Sequence, residues 1–228
     1  MMQTERQVDR QTERQGSWGG WAEMAHAIQA QPLVVTVSGE HGSGREAVAV
    51  GLADRLHMLC YDAQLIDRLI EKSVANSSDV KAMHAPKGIN GWLKGIFETD
   101  RLKRSGYYLH LVRTVMEIAS TGGVIIGCGA HLILSGQGVF RLKIEAGTDF
   151  CAHRVAQQEG ISFAEARKRV GLMNEKNIKR VKEIYDRFPS GRHYYDLVLS
   201  AESLSPEEMI DLAWFALEET GCVQPVKS

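Results

Sequence analysis

The fold of this chain is decided by the stretch Leu33-Val-Val-Thr-Val-Ser-Gly-Glu-His-Gly-Ser-Gly-Arg-Glu46. The short apolar run over residues 33–37 is typical of a strand that is buried on both faces. The glycines after it fit the spacing G-x-x-x-x-G, which lets backbone N–H groups turn inward and cradle phosphate oxygens at a helix N-terminus. A helical stretch with Val48, Leu52 and Leu56 at four-residue spacing comes next. The segment therefore predicts a strand, a phosphate-binding loop over residues 39–46 and a helix.

The predicted loop departs from the common phosphate-loop pattern at two positions. Arg45 stands where a lysine usually reaches the β- and γ-phosphates, and Glu46 stands where a serine or threonine usually contacts Mg²⁺. An arginine keeps the charge and binds phosphate through two donors, although it is larger. The carboxylate of Glu46 can ligate magnesium, but it also repels nearby phosphates. Two interpretations stay open, namely a phosphate site and a glycine-rich turn without a ligand.

Strands and helices alternate along the rest of the chain. Short apolar runs predict further strands at residues 59–61, 124–127, 139–144 and 195–199. Apolar stripes and capping patterns predict helices that begin at Asp62, Thr148, Ser162 and Ser205, and one that runs through residues 108–119. Ser162 and Glu165 also have the spacing of a capping box. Short buried strands between helices predict an α/β fold, a three-layer sandwich in which helices cover both faces of a parallel sheet.

The overall composition is that of a globular protein. The 228 residues are 44 % apolar and 24 % charged, and the formal net charge of −1 gives no general attraction to nucleic acid or to a membrane. No run of about 18 apolar residues is present, which predicts the absence of a membrane span. The four cysteines form no C-x-x-C pair and favour reduced thiols. We therefore expect a cytoplasmic protein without nucleic-acid or membrane partners.

The chain is expected to form one main domain over residues 31–221. Residues 1–30 begin with a segment rich in Gln, Arg and Glu and lack the apolar core of a signal peptide, so they predict a mostly disordered tail. Turn signals and weak periodicity in residues 76–105 predict a small mobile insert. Residues 222–228 are expected to form a C-terminal tail.

Several motifs resemble the cytidylate kinase-like family of P-loop nucleoside-monophosphate kinases. The most specific motif is Gly-Ser-Gly-Arg-Glu at residues 42–46, and the resemblance covers about residues 33–217. The other matching segments are residues 52–56, 61–62, 65–66, 124–131, 140–144, 164–169 and 195–206. The resemblance implies an adenylate-kinase-like fold with a parallel sheet of about five strands. It also implies a nucleotide-binding insert at residues 76–105, a lid at residues 162–192, ATP as co-substrate and Mg²⁺ as cofactor.

Three positions depart from the pattern of that family. Cys128 stands where the family has an arginine that is expected to hold the monophosphate. Asn174 and Asn177 stand in the lid segment where acids and arginines are expected, whereas Lys176 and Arg180 are kept. The changed positions favour an alternative hypothesis, in which the chain binds a nucleotide or phosphate without turnover.

The lid segment has a local excess of positive charge. Residues 165–192 contain nine lysines and arginines against four acidic residues. Phosphoryl transfer needs cations around a group whose charge spreads over three oxygens, and a closing lid would supply them. The lid candidates are Arg167, Lys168, Arg169, Lys176 and Arg180, of which Lys176 and Arg180 are predicted to be catalytic together with Arg45. The alternative interpretation is a solvated basic helix face.

A second group of candidates is expected on the acceptor side of the site. Gly127, Cys128 and His131 follow a predicted buried strand, and Asp62 follows another strand end, where ligands of open α/β sheets collect. Asp62 is predicted to contact the substrate or, with Glu46, the metal, and its interpretation as an ordinary helix N-cap stays open. His131 either faces the cleft near the end of its strand or has a structural role.

The leading hypothesis is ATP- and Mg²⁺-dependent phosphoryl transfer to a nucleoside monophosphate. The donor phosphates would meet the cation Arg45 and be wrapped by Gly39, Gly42, Ser43 and Gly44. Because such a loop works through its backbone, His41 is expected to be a solvated side chain. The expected partner is a nucleotide or another phosphorylated small molecule. The alternative, from a different class, is a catalytically degenerate nucleotide- or phosphate-binding module that acts as a sensor or partner subunit.

Overall fold

A computed structural model of the protein describes residues 32–76, 106–134, 138–184 and 195–223. The chain separates into two units, Met1–Pro32 and Leu33–Ser228, and every described residue except Pro32 belongs to the second. The predicted tail over residues 1–30 lies outside the described residues. The same holds for the predicted insert beyond Asn76, the end of the predicted lid and residues 224–228. The domain boundaries at these places stay predictions.

The centre of the second unit is a parallel sheet of five strands. The strands are β1 (Val34–Gly39), β2 (Cys60–Tyr61), β3 (Gly123–Ile126), β4 (Phe140–Glu145) and β5 (Leu197–Ser200). Their order is β2-β3-β1-β4-β5, so β1 is central. The register places Val35 of β1 between Val124 of β3 and Phe140 of β4. Because all strands are parallel, their carboxyl ends meet at one edge, where ligands of such sheets bind.

The structure describes seven helices around this sheet. They are α1 (Arg45–Leu56), α2 (Ala63–Asn76), α3 (Gly106–Thr121), α4 (Ala130–Ile133), α5 (Thr148–Glu159), α6 (Phe163–Ile184) and α7 (Pro206–Glu219). On one face, Val35 belongs to a core cluster with Leu52 of α1 and residues of α7. On the other face, Ile125 packs with Leu111 of α3 and residues of α2 and α4. The predicted three-layer α/β sandwich is confirmed.

The described helix ends follow their local capping signals. α3 ends before Gly122, which has φ +86° and donates its N–H to the Ile118 oxygen at 2.9 Å. Ser205 and Glu208 form a complete capping box at the start of α7. At the start of α6, Ser162 Oγ accepts from Glu165 N–H at 3.3 Å, which is the serine half of the predicted box. Local chemistry therefore sets these boundaries.

Two features differ from the expectations. β4 is not buried on both faces, because Phe140, Leu142 and Ile144 point into the core whereas the alternate residues are half-buried and charged. The short helix α4 was not predicted. After β3 ends at Ile126, left-handed residues 127–129 turn the chain into α4, which contains His131. Among the helices that the structure describes, none has the length and apolar character needed to cross a membrane.

Candidate functional site

The segment between β1 and α1 forms a turn that requires glycine at two positions. Gly42 and Gly44 have φ of +87° and +89°, in the left-handed region that favours glycine. A Cβ atom on Gly42 would lie 2.8 Å from the carbonyl oxygen of Cys151. A Cβ atom on Gly44 would lie 2.8 Å from Nη2 of Arg154. Both glycines are therefore needed for conformational and for steric reasons.

The N-terminus of α1 leaves backbone donors open at this loop. The first α-helical bond runs from Val48 N–H to the Gly44 oxygen at 3.2 Å. The amides of Arg45, Glu46 and Ala47 therefore lack an intrahelical acceptor, and no side chain from the described residues caps this helix end. The helix dipole and the inward amides of the glycine turn both favour an anion here. This arrangement is suited to phosphate.

Ser43 is fully buried within the loop. Its N–H donates to the Glu40 oxygen at 3.1 Å and closes a turn. Its Oγ is buried and has no partner among the described residues. A buried hydroxyl without a hydrogen bond is unfavourable, so this atom fits a loop that takes up an oxygen-rich ligand.

Arg45 folds back onto the loop. Its Nη1 donates to the Gly39 carbonyl oxygen, and its Nε donates to Glu46 Oε1 at 2.9 Å. The Arg45 side chain is only 14 % exposed, whereas that of Glu46 is 51 % exposed. The guanidinium is thus largely enclosed beside the loop, and the carboxylate lies at the protein surface.

The two predicted metal ligands have different surroundings. Asp62 Oδ1 accepts from Leu65 N–H at 2.7 Å, so this carboxylate caps α2 as in the N-cap interpretation. Within the described ranges, no group of three His, Cys, Asp or Glu side chains is suited to a metal ion. Mg²⁺ at nucleotide sites needs only one or two carboxylates besides phosphates and water. The exposed carboxylate of Glu46 at the loop fits this smaller requirement.

A second turn with unusual backbone follows β3. Gly127, Cys128 and Gly129 have φ of +65°, +55° and +70°. The Cβ position of Gly127 lies 3.9 Å from Arg45 Nη1, so Arg45 connects this turn with the phosphate loop. Burial raises the pKa of the Cys128 thiol, and the positive charges of Arg180 and Arg45 oppose that shift. The charge of Asp67 adds to the shift, so two guanidinium groups and one carboxylate lie around this turn.

Tyr107 lies beside Arg180 at this turn, and neither Tyr107 nor its partner Asp67 was predicted from the sequence. Arg180 Cζ lies 5.9 Å from the ring centre of Tyr107, within the range of a cation–π contact. The Tyr107 hydroxyl donates to Asp67 Oδ1 at 2.6 Å. Burial and this hydrogen bond raise the pKa of the Tyr107 hydroxyl, so it stays a donor. No local pattern marks these residues, because they lie on α3 and α2 and meet only after folding.

α6 contains the described part of the predicted lid, and two of its cations face α5. Arg167 Nε donates to Asp149 Oδ1 at 2.7 Å, and Arg169 pairs with Glu159. Surface ion pairs of this kind contribute about 0–1 kcal/mol each. They fasten the first half of α6 to α5 and do not approach the loop.

The other three predicted lid cations have different places. Lys168 and Lys176 are exposed on α6, as the interpretation of a solvated helix face expects. Arg180 is half-buried and lies at the turn after β3. Among the five lid candidates, Arg180 is thus the one that the fold brings to the site.

Asn174 on α6 contacts the phosphate loop directly. Its Oδ1 accepts a hydrogen bond from His41 N–H at 2.9 Å. The expectation that His41 is solvated is wrong, because the residue is half-buried and its Nε2 is buried without a partner in the described part of the chain. The sequence did not indicate this burial, since it depends on where α6 lies relative to the loop.

Arg154 on α5 is a further site residue that the sequence did not indicate. Its atoms Nη2, Cζ and Nη1 lie 2.8, 3.0 and 3.0 Å from the Cβ position of Gly44. No carboxylate in the described ranges pairs with it. A cation at the positive end of a helix dipole is unfavourable unless an anion also binds there. Arg154 therefore adds to the indications that the loop binds phosphate.

His131 is enclosed in a network of hydroxyl groups. Its Nδ1 lies 3.1 Å from Ser38 Oγ, and its Nε2 lies 3.2 Å from the Tyr195 hydroxyl. Burial and the nearby charges of Arg141 and Lys143 lower the pKa of His131 to about 4. Because protein groups occupy both ring nitrogens, the geometry favours a structural role over contact with a substrate.

The sheet order, the glycine loop before α1 and the arginines around it define a P-loop protein with the α/β kinase fold. The chain belongs to the cytidylate kinase-like family, whose sequence profile matches residues 34–203. The family and the fold class expected from the sequence are therefore confirmed.

Individual relatives agree with this assignment. A cytidylate kinase from Methanopyrus kandleri is 28 % identical over 196 residues, which cover 82 % of this chain and 93 % of that protein. A cytidylate kinase from Pyrococcus horikoshii is 26 % identical over 186 residues, covering 82 % and 88 %. The crystal structure of an uncharacterized protein from Eubacterium ventriosum has a TM-score of 0.66 at 18 % identity, covering 82 % of this chain and 98 % of that one. That likeness concerns the fold.

Proposed function

We propose that the protein transfers a phosphoryl group from ATP to a nucleoside monophosphate, with Mg²⁺ as cofactor. The observation that carries the proposal is the approach of two guanidinium groups to the turn after β3. Arg45 comes from the phosphate loop and lies 3.9 Å from the Cβ position of Gly127, and Arg180 comes from α6 and lies beside Cys128 and Tyr107. A transferring phosphoryl group spreads negative charge over three oxygens, which cations from both sides stabilise.

The donor phosphates bind at the loop between β1 and α1. Hydrogen-bond donors are supplied by the amides at the start of α1 and by Ser43 Oγ, which has no partner among the described residues. Arg154 adds positive charge next to Gly44. Gly39 contributes through its position, because it ends β1 and its carbonyl oxygen holds Arg45.

Mg²⁺ would be held by Glu46 together with phosphate oxygens and water. When bound, it supplies positive charge that lowers the repulsion between the phosphates. Glu46 suits this role because half of its side chain is exposed at the loop. Asp62 is left to cap α2, so its contribution to the site is to hold the start of that helix.

The acceptor monophosphate binds at the turn that contains Gly127 and Cys128. Arg180 and Arg45 provide the charge there. Lys176, one turn before Arg180, stays a predicted catalytic cation, and its side chain is exposed to solvent in the structure. The relatives from Methanopyrus kandleri and Pyrococcus horikoshii are cytidylate kinases, so cytidine monophosphate is the first acceptor to test.

One observation favours the alternative of a binding module without turnover. Arg45, the cation of the loop, already contacts the Gly39 oxygen and Glu46. An arginine that keeps these contacts in the presence of nucleotide would support the loop but would not stabilise a transferring group. Nucleotide binding would then persist without a reaction.

A coupled assay of ADP formation separates the two functions. The natural chain is incubated with ATP and Mg²⁺ and with cytidine, uridine, adenosine or guanosine monophosphate in turn. We expect turnover with at least one of them, and Arg180→Ala should lower kcat on the order of 100-fold. Arg167→Ala is the matched control, because it removes a cation that is paired with Asp149 on the surface. ATP binding by calorimetry without turnover on any acceptor would support the alternative, and absence of binding would contradict both functions.

A further inference from the structure

One stripe of α6 contacts both ends of the proposed site. Asn174, Asn177 and Arg180 are half-buried along this stripe. Asn174 Oδ1 accepts from His41 N–H of the phosphate loop at 2.9 Å, and Arg180 lies at Cys128 and Tyr107. Six residues of helix separate the two contacts, which corresponds to about 9 Å. A single rigid element therefore links the phosphate loop with the turn after β3.

The two halves of α6 are held by different forces. In the first half, Ala166 and Val170 are buried against Val155 of α5, and Arg167 and Arg169 form the ion pairs described above. Beyond Val170, the described side chains of α6 include no buried apolar residue. Among the described contacts of the second half, the hydrogen bond from His41 to Asn174 is the one nearest to the apolar anchor.

We propose that Asn174 is a positioning residue that sets the place of Arg180 by docking α6 on the phosphate loop. The Asn174 oxygen satisfies the His41 amide, which lies in a half-buried part of the loop. Without that acceptor, the second half of α6 loses its connection to the loop, and Arg180 moves away from Cys128 more often.

The meaning of this contact for catalysis rests on the proposed phosphoryl transfer. A nucleotide that orders the loop would also order α6, because Asn174 connects the two. Arg180 would then be placed at the acceptor turn when the donor is bound. The donor side and the acceptor side would be coupled through one hydrogen bond and one helix.

The chain offers a matched control for Asn174. Asn177 is the same residue type on the same stripe, and its side chain has no hydrogen bond to a described residue. The variant Asn174→Asp is a rescue control, because its carboxylate oxygen can accept from the same N–H. If the effect came only from the loss of an asparagine side chain on this helix, Asn174→Ala and Asn177→Ala would move Arg180 to the same extent.

The test measures how fast iodoacetamide labels Cys128 in the free protein, with peptide mass spectrometry to identify the labelled thiol. Because iodoacetamide attacks the thiolate, and moving Arg180 away raises the pKa of Cys128, each rate is measured over a pH series and expressed per thiolate. We expect Asn174→Ala to raise this rate per thiolate about two- to tenfold, the factor that one net hydrogen bond gives in an opening equilibrium. Asn174→Asp should restore the natural rate, and Asn177→Ala should leave it unchanged. Labelling of Cys60, which lies in β2, should be the same in all variants.

Equal Cys128 labelling in Asn174→Ala and the natural chain would overturn the inference. Equal acceleration by Asn177→Ala, or failure of Asn174→Asp to restore the rate, would do the same. Because labelling needs no nucleotide, its outcome does not depend on the proposed function. The coupled assay then provides the second readout, in which Asn174→Ala should lower kcat by a similar factor and Asn177→Ala should not. Labelling as expected without any turnover by the natural chain would refute the proposed function and leave the docking of α6 intact.

Discussion

The buried ring of His131 makes the stability of this fold depend on pH. The ring hydrogen bonds to Ser38 at the end of β1 and to Tyr195 just before β5, so it ties α4 to two strands of the sheet. Burial, together with the charges of Arg141 and Lys143, lowers its pKa to about 4 from an ordinary value of 6.5. The folded protein therefore resists protonation of this ring, while the unfolded chain does not.

The sign and size of the effect follow from this difference in pKa. Above pH 6.5 both states hold a neutral ring, and the stabilisation is fully present. As the pH falls, the unfolded chain takes up a proton first, so the free energy of unfolding decreases until the pH passes below about 4. Between neutral pH and pH below about 4, the free energy of unfolding therefore decreases by about 3 kcal/mol, since each unit of pKa difference corresponds to about 1.4 kcal/mol.

The measurement is urea unfolding at a series of pH values between 7 and 4. Aspartate and glutamate residues also titrate in this range, so the natural chain is compared with His131→Asn. That variant keeps a polar group in the network but cannot titrate. We expect it to be less stable at pH 7 because of imperfect packing, and to lose less stability than the natural chain on acidification. Parallel curves for the two proteins would refute the claim that a buried neutral ring causes the effect.

Four further predictions concern the phosphate loop. Arg45→Ala should weaken ADP binding about ten- to a hundredfold in calorimetry, since a charged hydrogen bond contributes about 1.5–3 kcal/mol, and unchanged affinity would exclude Arg45 as a phosphate ligand. Arg154→Ala should weaken ADP binding about tenfold, because it removes the cation beside Gly44. An effect no larger than that of Arg167→Ala would show that Arg154 does not bind the phosphates. Gly42→Ala should lower the free energy of unfolding by about 1–3 kcal/mol, because the residue has φ +87° and the new Cβ would lie 2.8 Å from the Cys151 oxygen. An unchanged melting temperature would contradict this close approach of Gly42 to Cys151. ATP with Mg²⁺ at about 100-fold excess over Kd should stabilise the protein by about 2.7 kcal/mol, and a thermal melting curve that does not move would argue against the loop as a nucleotide site.

The elements near β1 were predictable because their signals are local. The apolar run, the glycine spacing and the following amphipathic stretch occupy neighbouring positions, so backbone conformation follows from the nearest residues. The same holds for the end of α3 at Gly122 and for Ser205 with Glu208, where side chains and backbone groups within one turn satisfy each other. The bounds of these elements in the structure agree with the predicted ones within a few residues.

The sequence left open which cations reach the site, because a charge count does not say where a side chain points. Five basic residues of the lid were candidates, of which Lys176 and Arg180 were predicted to be catalytic. The helical period of α6 directs Arg167 and Arg169 to acidic residues of α5, and it leaves Lys168 and Lys176 in solvent. Arg180 is the candidate that lies on the inner stripe. This selection depends on how α6 packs against α5.

The sequence alone determined the class of the fold, the position of the phosphate loop and the family, because each rests on residues that are adjacent in the chain. Only the tertiary structure decided which side chains surround the loop. Arg154, Tyr107 and Asn174 come from three different helices, and their contacts with Gly44, Arg180 and His41 join positions far apart in sequence. Such contacts depend on how helices pack against the sheet, and packing is set by the sum of many small interactions over the whole core. No local pattern contains that sum, so the composition of the site appears only in the folded chain.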